Sequence, residues 1–285
     1  MTAPAHALTI WFLAAVTLKS RGGVIRNVKG LSDGLKRRGH QVRLVVASPG
    51  ESVFGFGLRA AVAFLGSRRP DVIIARSFDG LICSLLIRIL RFPTKVVVQS
   101  HGWEDRAYAV ESTLDTRDLP PTTTIRARLV RFPLVRAAVH LSHAVACGTV
   151  GELRYARDVY RYPRPLIFVP NGVDTVADLS ILPVVPPHFL CVGPHTWKKN
   201  LRASFDLIAR IRAHGHDARL TLVGCGAKAV LDPCFCEGLK RGWLSLVESA
   251  PAHEMADWYA SSPYLISMST YEGGHPLSIL EAMAH

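Results

Sequence analysis

Short β-rich runs alternate with helical periodicity along almost the whole chain. Residues 8–16 form a continuous apolar run, the pattern of a strand buried on both faces. Arg21-Gly22-Gly23 breaks it. A helix follows, with Val24, Val28, Leu31 and Leu35 on one face and Arg26, Lys29, Asp33 and Lys36 on the other. Gly39 ends this helix, and residues 41–47 form the next strand. The same alternation predicts a helix over 58–65, a strand over 71–75, a helix over 80–90 and a strand over 95–100. A break at Leu119-Pro120-Pro121 precedes a basic helical stretch carrying Arg126, Arg128, Arg131 and Arg136, and strand-like runs return at 144–147 and 166–169. Strands alternating with helices argue for a parallel sheet covered by helices on both faces.

Residues 180–187 carry Pro183, Pro186 and Pro187 with no helical period, so an extended, proline-stiffened linker is expected there. The alternation then restarts: strand 188–192, helix 200–213, strands 218–223 and 243–248, helix 253–259, strand 264–268 and helix 276–285. The expected organisation is a first α/β domain over residues 1–182 and a second over 183–285. Similar architecture on both sides of a linker suggests a ligand cleft between the domains.

Composition narrows the function classes. The 285 residues are 49% hydrophobic and 20% charged, with a mean hydropathy of +0.20. That is apolar enough for sizeable cores, and it excludes a disordered, collagen-like or disulfide-scaffold chain. The longest uncharged apolar run, residues 7–18, falls short of the ~20 residues that span a bilayer. No basic region precedes it, so no signal peptide is expected. Up to Pro187 there are 25 Lys+Arg and 13 Asp+Glu, a net of +12; beyond it the counts are 9 and 9. Such asymmetry points to one half meeting anionic material. Nucleic acid ranks lowest among the candidates, because the basic residues form no recognised nucleic-acid module. The six cysteines read as small buried residues of a reducing compartment, the cytoplasm. Cys225, Cys234 and Cys236 lack the second paired element that a zinc site needs.

Glycine turns at strand ends carry the candidate chemistry. Lys19-Ser20-Arg21-Gly22-Gly23-Val24 opens a helix without the full Gly-x-Gly-x-x-Gly spacing, and backbone amides there suit a phosphate. Cys191-Val192-Gly193 leaves a strand, and Pro194-His195-Thr196-Trp197-Lys198-Lys199-Asn200 leads into a helix, which gathers two cations and helix N–H groups near one point. Leu222-Val223-Gly224-Cys225-Gly226 repeats the device. In the segment from Ser269 to Ala284, Glu272 follows a strand, Gly273-Gly274 gives way to Pro276 at a helix start, and Glu281 follows among Leu, Ala and Met. A carboxylate in that apolar setting needs a partner, and two sugar hydroxyls would serve.

This set resembles the retaining glycosyltransferases of family 4. The matching segments are Gly22-Gly23 with Leu35…Arg38-Gly39-His40-Gln41-Val42, Gln99-Ser100-His101-Gly102, Pro170-Asn171-Gly172-Val173-Asp174, Val192-Gly193…Lys199-Asn200, Leu222-Val223-Gly224-Cys225-Gly226, and Tyr271-Glu272-Gly273-Gly274…Leu280-Glu281-Ala282-Met283-Ala284. The resemblance implies the GT-B fold, two Rossmann-like domains facing a cleft, with the acceptor bound by the first and a nucleotide sugar (UDP- or GDP-linked) by the second. It implies that Gly22, Gly23, Gly193, Lys198, Lys199, Gly273, Gly274 and Glu281 bind the donor and that His101 and Glu272 are catalytic. Lys199 would meet the diphosphate, Glu281 the ribose hydroxyls and Glu272 the donor sugar, with no obligatory metal.

Two positions depart from the family pattern. Pro194 stands where an Arg is usual, which leaves Lys199 with Lys198 or His195 for the diphosphate. Glu272 and Glu281 are nine positions apart instead of eight. The family also continues past the helix of Glu281, so the second domain is expected to be incomplete and the chain truncated at its C-terminus. The leading expectation is a sugar transferase acting on a glycan or lipid-linked acceptor in cell-envelope polysaccharide or glycolipid synthesis. It would be cytoplasmic and docked on the inner face of the membrane by its basic first domain. A non-catalytic binder of sugar nucleotides or glycans, and another GT-B enzyme such as a nucleotide-sugar epimerase, stay open beside it.

Overall fold

A computed structural model describes residues 6–17, 23–111, 127–173 and 186–285. The proline break at 119–121, Arg126 and the expected boundary at 182/183 lie outside the described residues. The chain divides into two compact units, the first of residues up to Asn171 apart from a segment that begins at Ala109, and the second of that segment and the residues from Gly172 onward.

The first unit is built on strands β1 (Thr9–Ala14), β2 (Gln41–Val46), β3 (Val72–Arg76), β4 (Lys95–Gln99), β5 (Ala144–Cys147) and β6 (Leu166–Phe168), interleaved with helices α1 (Gly23–Arg37), α2 (Val53–Leu65), α3 (Leu81–Ile89), α4 (Glu104–Glu111), α5 (Phe132–Leu141) and α6 (Val150–Asp158). A π-helical turn, Ala127–Arg131, leads into α5. The sheet is parallel, in the order β2-β1-β3-β4-β5-β6. The apolar run of β1 is buried from Ile10 onward because β1 is central, with α2 and α3 covering one sheet face and α1 the other. Gly39, at φ 88°, takes the left-handed position that closes α1.

Local chemistry sets several boundaries that periodicity misplaces. Helix α2 starts at Val53, five residues before the expected 58, because the hydroxyl of Ser52 caps it by accepting the Gly55 amide at 3.0 Å. Helix α6 opens with a capping box in which Thr149 and Glu152 each bond the other's backbone amide.

The second unit holds β7 (His188–Val192), α7 (Leu201–Ala213), β8 (Arg219–Val223), α8 (Ala227–Val230), α9 (Cys236–Lys240), β9 (Leu244–Val247), α10 (Met255–Ala260), β10 (Tyr264–Leu265) and α11 (Leu277–Ala284). Its strands are parallel, in the order β10-β7-β8-β9. Strand β10 pairs only Tyr264 and Leu265, not the expected 264–268. The Ile266 amide makes a last bond to Leu190, and the chain then leaves the ladder. Leu201, Phe205 and Ile208 of α7 pack with Leu220 and Leu222 of β8 in the core. Helices α4, α6, α8 and α9 lie outside the elements that periodicity predicts.

Of the six cysteines, Cys83, Cys147, Cys191 and Cys225 are buried, whereas Cys236 is exposed. Among the described residues no helix is long and apolar enough to cross a membrane, and no cluster of His, Cys, Asp or Glu is placed to hold a metal ion.

Candidate functional site

In an open parallel sheet, ligands bind beyond the carboxyl ends of the strands where the strand order reverses. In the second sheet that point lies between β7 and β10, since the chain runs from β7 through β8 to β9 on one side and returns with β10 on the other. The loops leaving β7 and β10 are tied together there. Thr270 donates its amide to the Lys198 carbonyl at 2.9 Å and its hydroxyl to the Trp197 carbonyl at 2.8 Å. This places Glu272 beside Lys199, whose Nζ donates to Oε1 at 2.6 Å. Both side chains keep solvent access, at 21% and 27% exposure.

Gly193 makes room for that pair. Its φ is 151°, and a Cβ there would stand 3.0–3.1 Å from Cγ, Cδ and Cε of Lys199. The lysine stem therefore crosses bare glycine backbone on its way to Glu272. Helix α7 begins two residues after Lys199. Its N-cap, Asn200, is left-handed (φ 47°, ψ 52°) and makes no side-chain capping bond, so the first turn still offers backbone donors for an anion. Lys198 holds its Nζ 5.6 Å from the ring centroids of both Trp197 and Tyr271, a cation–π setting.

His195, a substitute cation on sequence grounds, turns inward. Its Nε2 lies 2.8 Å from Oδ2 of Asp232, with both side chains 5% exposed. Arg202 of α7 grips the same carboxylate, with Nε donating to Oδ2 at 2.9 Å and Nη2 to Oδ1 at 3.1 Å. The Cys234 amide adds a bond at 3.0 Å. Burial works to raise the Asp232 carboxyl, but the bonds from Arg202, the Cys234 amide and His195 outweigh it and hold the group below the usual carboxylate range. Periodicity gave no sign of this cluster; the only local signal is Asp232 ahead of Pro233, a capping pattern.

Glu281 lies on α11 at 8% exposure, and its Oε2 accepts a 2.8 Å bond from the Tyr259 hydroxyl of α10. The Tyr259 ring stacks on His285 with centroids 5.7 Å apart. Gly273 and Gly274 are half-buried in the loop between Glu272 and Pro276.

In the first unit, His101 follows β4. Removal from water, and then the positive charge of Arg76, push its imidazole down to about 4, so the ring is neutral at pH 7. Its Nε2 is buried and has no hydrogen-bond partner among the described residues. Glu152 fixes the loop around it: one carboxylate oxygen accepts from the Ser100 hydroxyl (2.5 Å) and the Gly102 amide (2.7 Å), and the other from the Gly148 amide (2.8 Å). A polar chain lies nearby in the fold, with Gln99 Nε2 donating to Asn27 Oδ1 at 3.1 Å and Asn27 Nδ2 to Asn171 Oδ1 at 2.7 Å. Nothing in the sequence marks Asn27, because an Asn within a helix is usually a solvated polar position. Gly23 is the first residue of α1, whereas Gly22 lies outside the described residues.

Comparison with known proteins bears on what this arrangement is. A model described as glycosyltransferase family 4 matches residues 48–177, and one described as glycosyl transferases group 1 matches residues 186–285. Together they leave out little beyond the first 47 residues. The chain belongs to the family 4, group 1 glycosyltransferases. None of the curated proteins compared matches the sequence.

Solved structures place this glycosyltransferase in the GT-B fold. The catalytic domain of starch synthase IV from Arabidopsis thaliana, bound to ADP and acarbose, matches with a TM-score of 0.67 at 15% identity, over 98% of this chain and 81% of its own. The lipopolysaccharide outer core galactosyltransferase WaaB, in its apo form, matches with 0.64 at 14% identity, over 97% and 78%. An α-glucosyltransferase in complex with UDP matches with 0.62 at 14% identity, over 98% and 79%. Within this glycosyltransferase, Gly193, Lys198, Lys199, Glu272, Gly273, Gly274 and Glu281 fall in the group 1 match, and His101 in the family 4 match.

Proposed function

We propose that this chain moves a sugar, with retention of anomeric configuration, from a UDP- or GDP-linked donor to a glycan or lipid-linked acceptor. The observation that carries the reading is the Lys199–Glu272 pair above the β7/β10 switch point, beside the uncapped start of α7. A diphosphate arriving there meets an ammonium and backbone N–H groups together, which offsets the charge that develops on it as it leaves. A starch synthase bound to ADP and an α-glucosyltransferase bound to UDP, both of the same fold, support a nucleotide donor.

On this reading the donor half spans residues 183–285. Gly193, Lys198 and Lys199 take the diphosphate, with Gly22 and Gly23 contributing from the first half. Glu281 holds the ribose hydroxyls, while Gly273 and Gly274 lie along the sugar. The acceptor half spans residues 1–182. Neutral His101 and Glu272 orient the transfer itself. The bond from the anomeric carbon to the diphosphate breaks, the acceptor oxygen bonds to that carbon on the same face, and the acceptor proton passes to the departing diphosphate. No step calls on a metal. The basic first half draws the chain to the inner face of the membrane, where an acceptor for a cell-envelope polysaccharide or glycolipid would be found.

The test is transfer from UDP-, GDP- and ADP-sugars to a panel of glycan and lipid-linked acceptors, read as nucleoside diphosphate release and as the anomeric configuration of the product. Lys199→Ala should lower kcat/KM by about 10²–10³-fold on the best pair, the loss typical of a removed transition-state donor. Inverted product, or a Lys199→Ala variant as active as wild type, would refute the mechanism.

A further inference from the structure

Helix α2 is at odds with its surroundings. Its sequence, VFGFGLRAAVAFL, carries a single charge, Arg59. A helix apolar all round belongs in a protein interior, and one side of α2 conforms, packing Phe56, Ala60, Ala61 and Phe64 on the first sheet. The other side faces water. Phe54, Leu58, Val62 and Leu65 are 76%, 55%, 64% and 47% exposed, and their i, i+4, i+8, i+11 spacing lines them up along one outer stripe. Helix α3 lies alongside, brought close at Gly57, where a Cβ would stand 3.1 Å from Cδ1 of Ile82. Both helices cover the same sheet face, so Leu85 and Ile89 of α3, 46% and 65% exposed, look out on the same side. Six large apolar side chains on one outer face exceed the scattered exposure ordinary in a soluble protein.

Basic side chains outnumber acidic ones around this face. Arg68 and Arg69 follow the C-terminal end of α2, Arg91 follows that of α3, and all three are exposed. Between residues 47 and 95 there are seven basic residues and three carboxylates. Each of the three is engaged: Glu51 takes a bidentate bond from Arg59, Asp71 accepts the Thr9 amide, and Asp79 accepts the Ala15 amide. A broad apolar stripe with a cationic rim matches one partner chemistry well, an anionic bilayer, in which phosphates meet the arginines and the acyl boundary takes the apolar side chains.

We infer that the α2–α3 face docks this chain on anionic lipid bilayers, the apolar stripe holding it and Arg68, Arg69 and Arg91 selecting the lipid charge. The inference rests on the membrane reading above but not on the donor, and it gives that reading a surface.

Vesicles of phosphatidylcholine alone, and of phosphatidylcholine with phosphatidylglycerol, provide the test through co-sedimentation. Wild type should partition onto the anionic vesicles. The triple variant Phe54→Ser, Leu58→Ser, Val62→Ser should lose at least about tenfold in partitioning. Arg68→Gln and Arg91→Gln should each lose about fivefold on anionic vesicles and little on neutral ones. All these positions are exposed, so circular dichroism and the thermal shift with nucleotide sugars should stay at wild-type values; loss of that shift in wild type would count against the donor reading alone. Three results would overturn the inference: no vesicle binding by folded wild type, unchanged binding by the triple variant, or self-association of wild type that the triple variant abolishes without any binding to vesicles.

Discussion

Gly193 and Lys199 show how single residues shape this site. A side chain at 193 would collide with the lysine stem and would also sit at φ 151°, a region that L residues rarely adopt. Gly193→Ala should therefore displace Lys199 from Glu272 and cost about 1–3 kcal/mol of stability, read from urea unfolding. Asp232→Ala should cost about 2–3 kcal/mol, because it strips Arg202, His195 and the Cys234 amide of a shared acceptor. The buried imidazole of His101 gives a pH signature. Its folded value of about 4 lies below the unfolded one, so the stability it contributes is present above the ordinary histidine range and is lost as pH falls through about 4. His101→Gln should flatten the acid side of the stability profile over that window; an unchanged profile would mean that the ring is not held neutral by burial. Lys199 and Glu272 were legible in the sequence because each sits in a short motif at a strand end. The His195–Asp232 contact was not, since 37 positions separate the two and only the tertiary fold joins them.

At the scale of elements, continuous apolar runs gave the buried central strands almost to the residue, because burial on both faces leaves little room for polar positions. Strand β10 was harder. The residues after Leu265 keep a strand-like composition, but the ladder ends where the chain turns toward Lys198 to form the site. Helix α6 could have been read from Thr149-x-x-Glu152, whereas α8 and α9, at four and five residues, are too short for periodicity to register. The packing of α3 against β3 makes a stability prediction. A Cβ on Gly80 would stand 2.4 Å from that of Ala75, so Gly80→Ala should force the start of α3 off the sheet. The expected cost is about 1–3 kcal/mol, seen as a lowered urea midpoint with an unchanged slope. Tolerance of alanine there would mean that the helix start sits further from the sheet.

The whole molecule combines two parallel sheets of different character. The first half carries the entire formal charge of +12 and the apolar α2–α3 face, while the second is neutral overall and carries Lys199, Glu272 and Glu281. That division was visible in the charge counts, but the apolar face was not, because exposed and buried leucines look alike in a sequence. If the basic half works through charge, vesicle binding should weaken as salt rises from 0.05 to 0.5 M, roughly as screening shortens from ~14 to ~4 Å. The donor role proposed for the second half has its own direct measurement, the thermal stability of the chain with UDP-, GDP- and ADP-sugars, for wild type beside Lys199→Ala. One nucleotide sugar should stabilise wild type by about 2–4 kcal/mol at saturating concentration and leave Lys199→Ala unshifted. A chain that no nucleotide sugar stabilises, or a Lys199→Ala variant that shifts as wild type does, would contradict the assignment of this site to the donor.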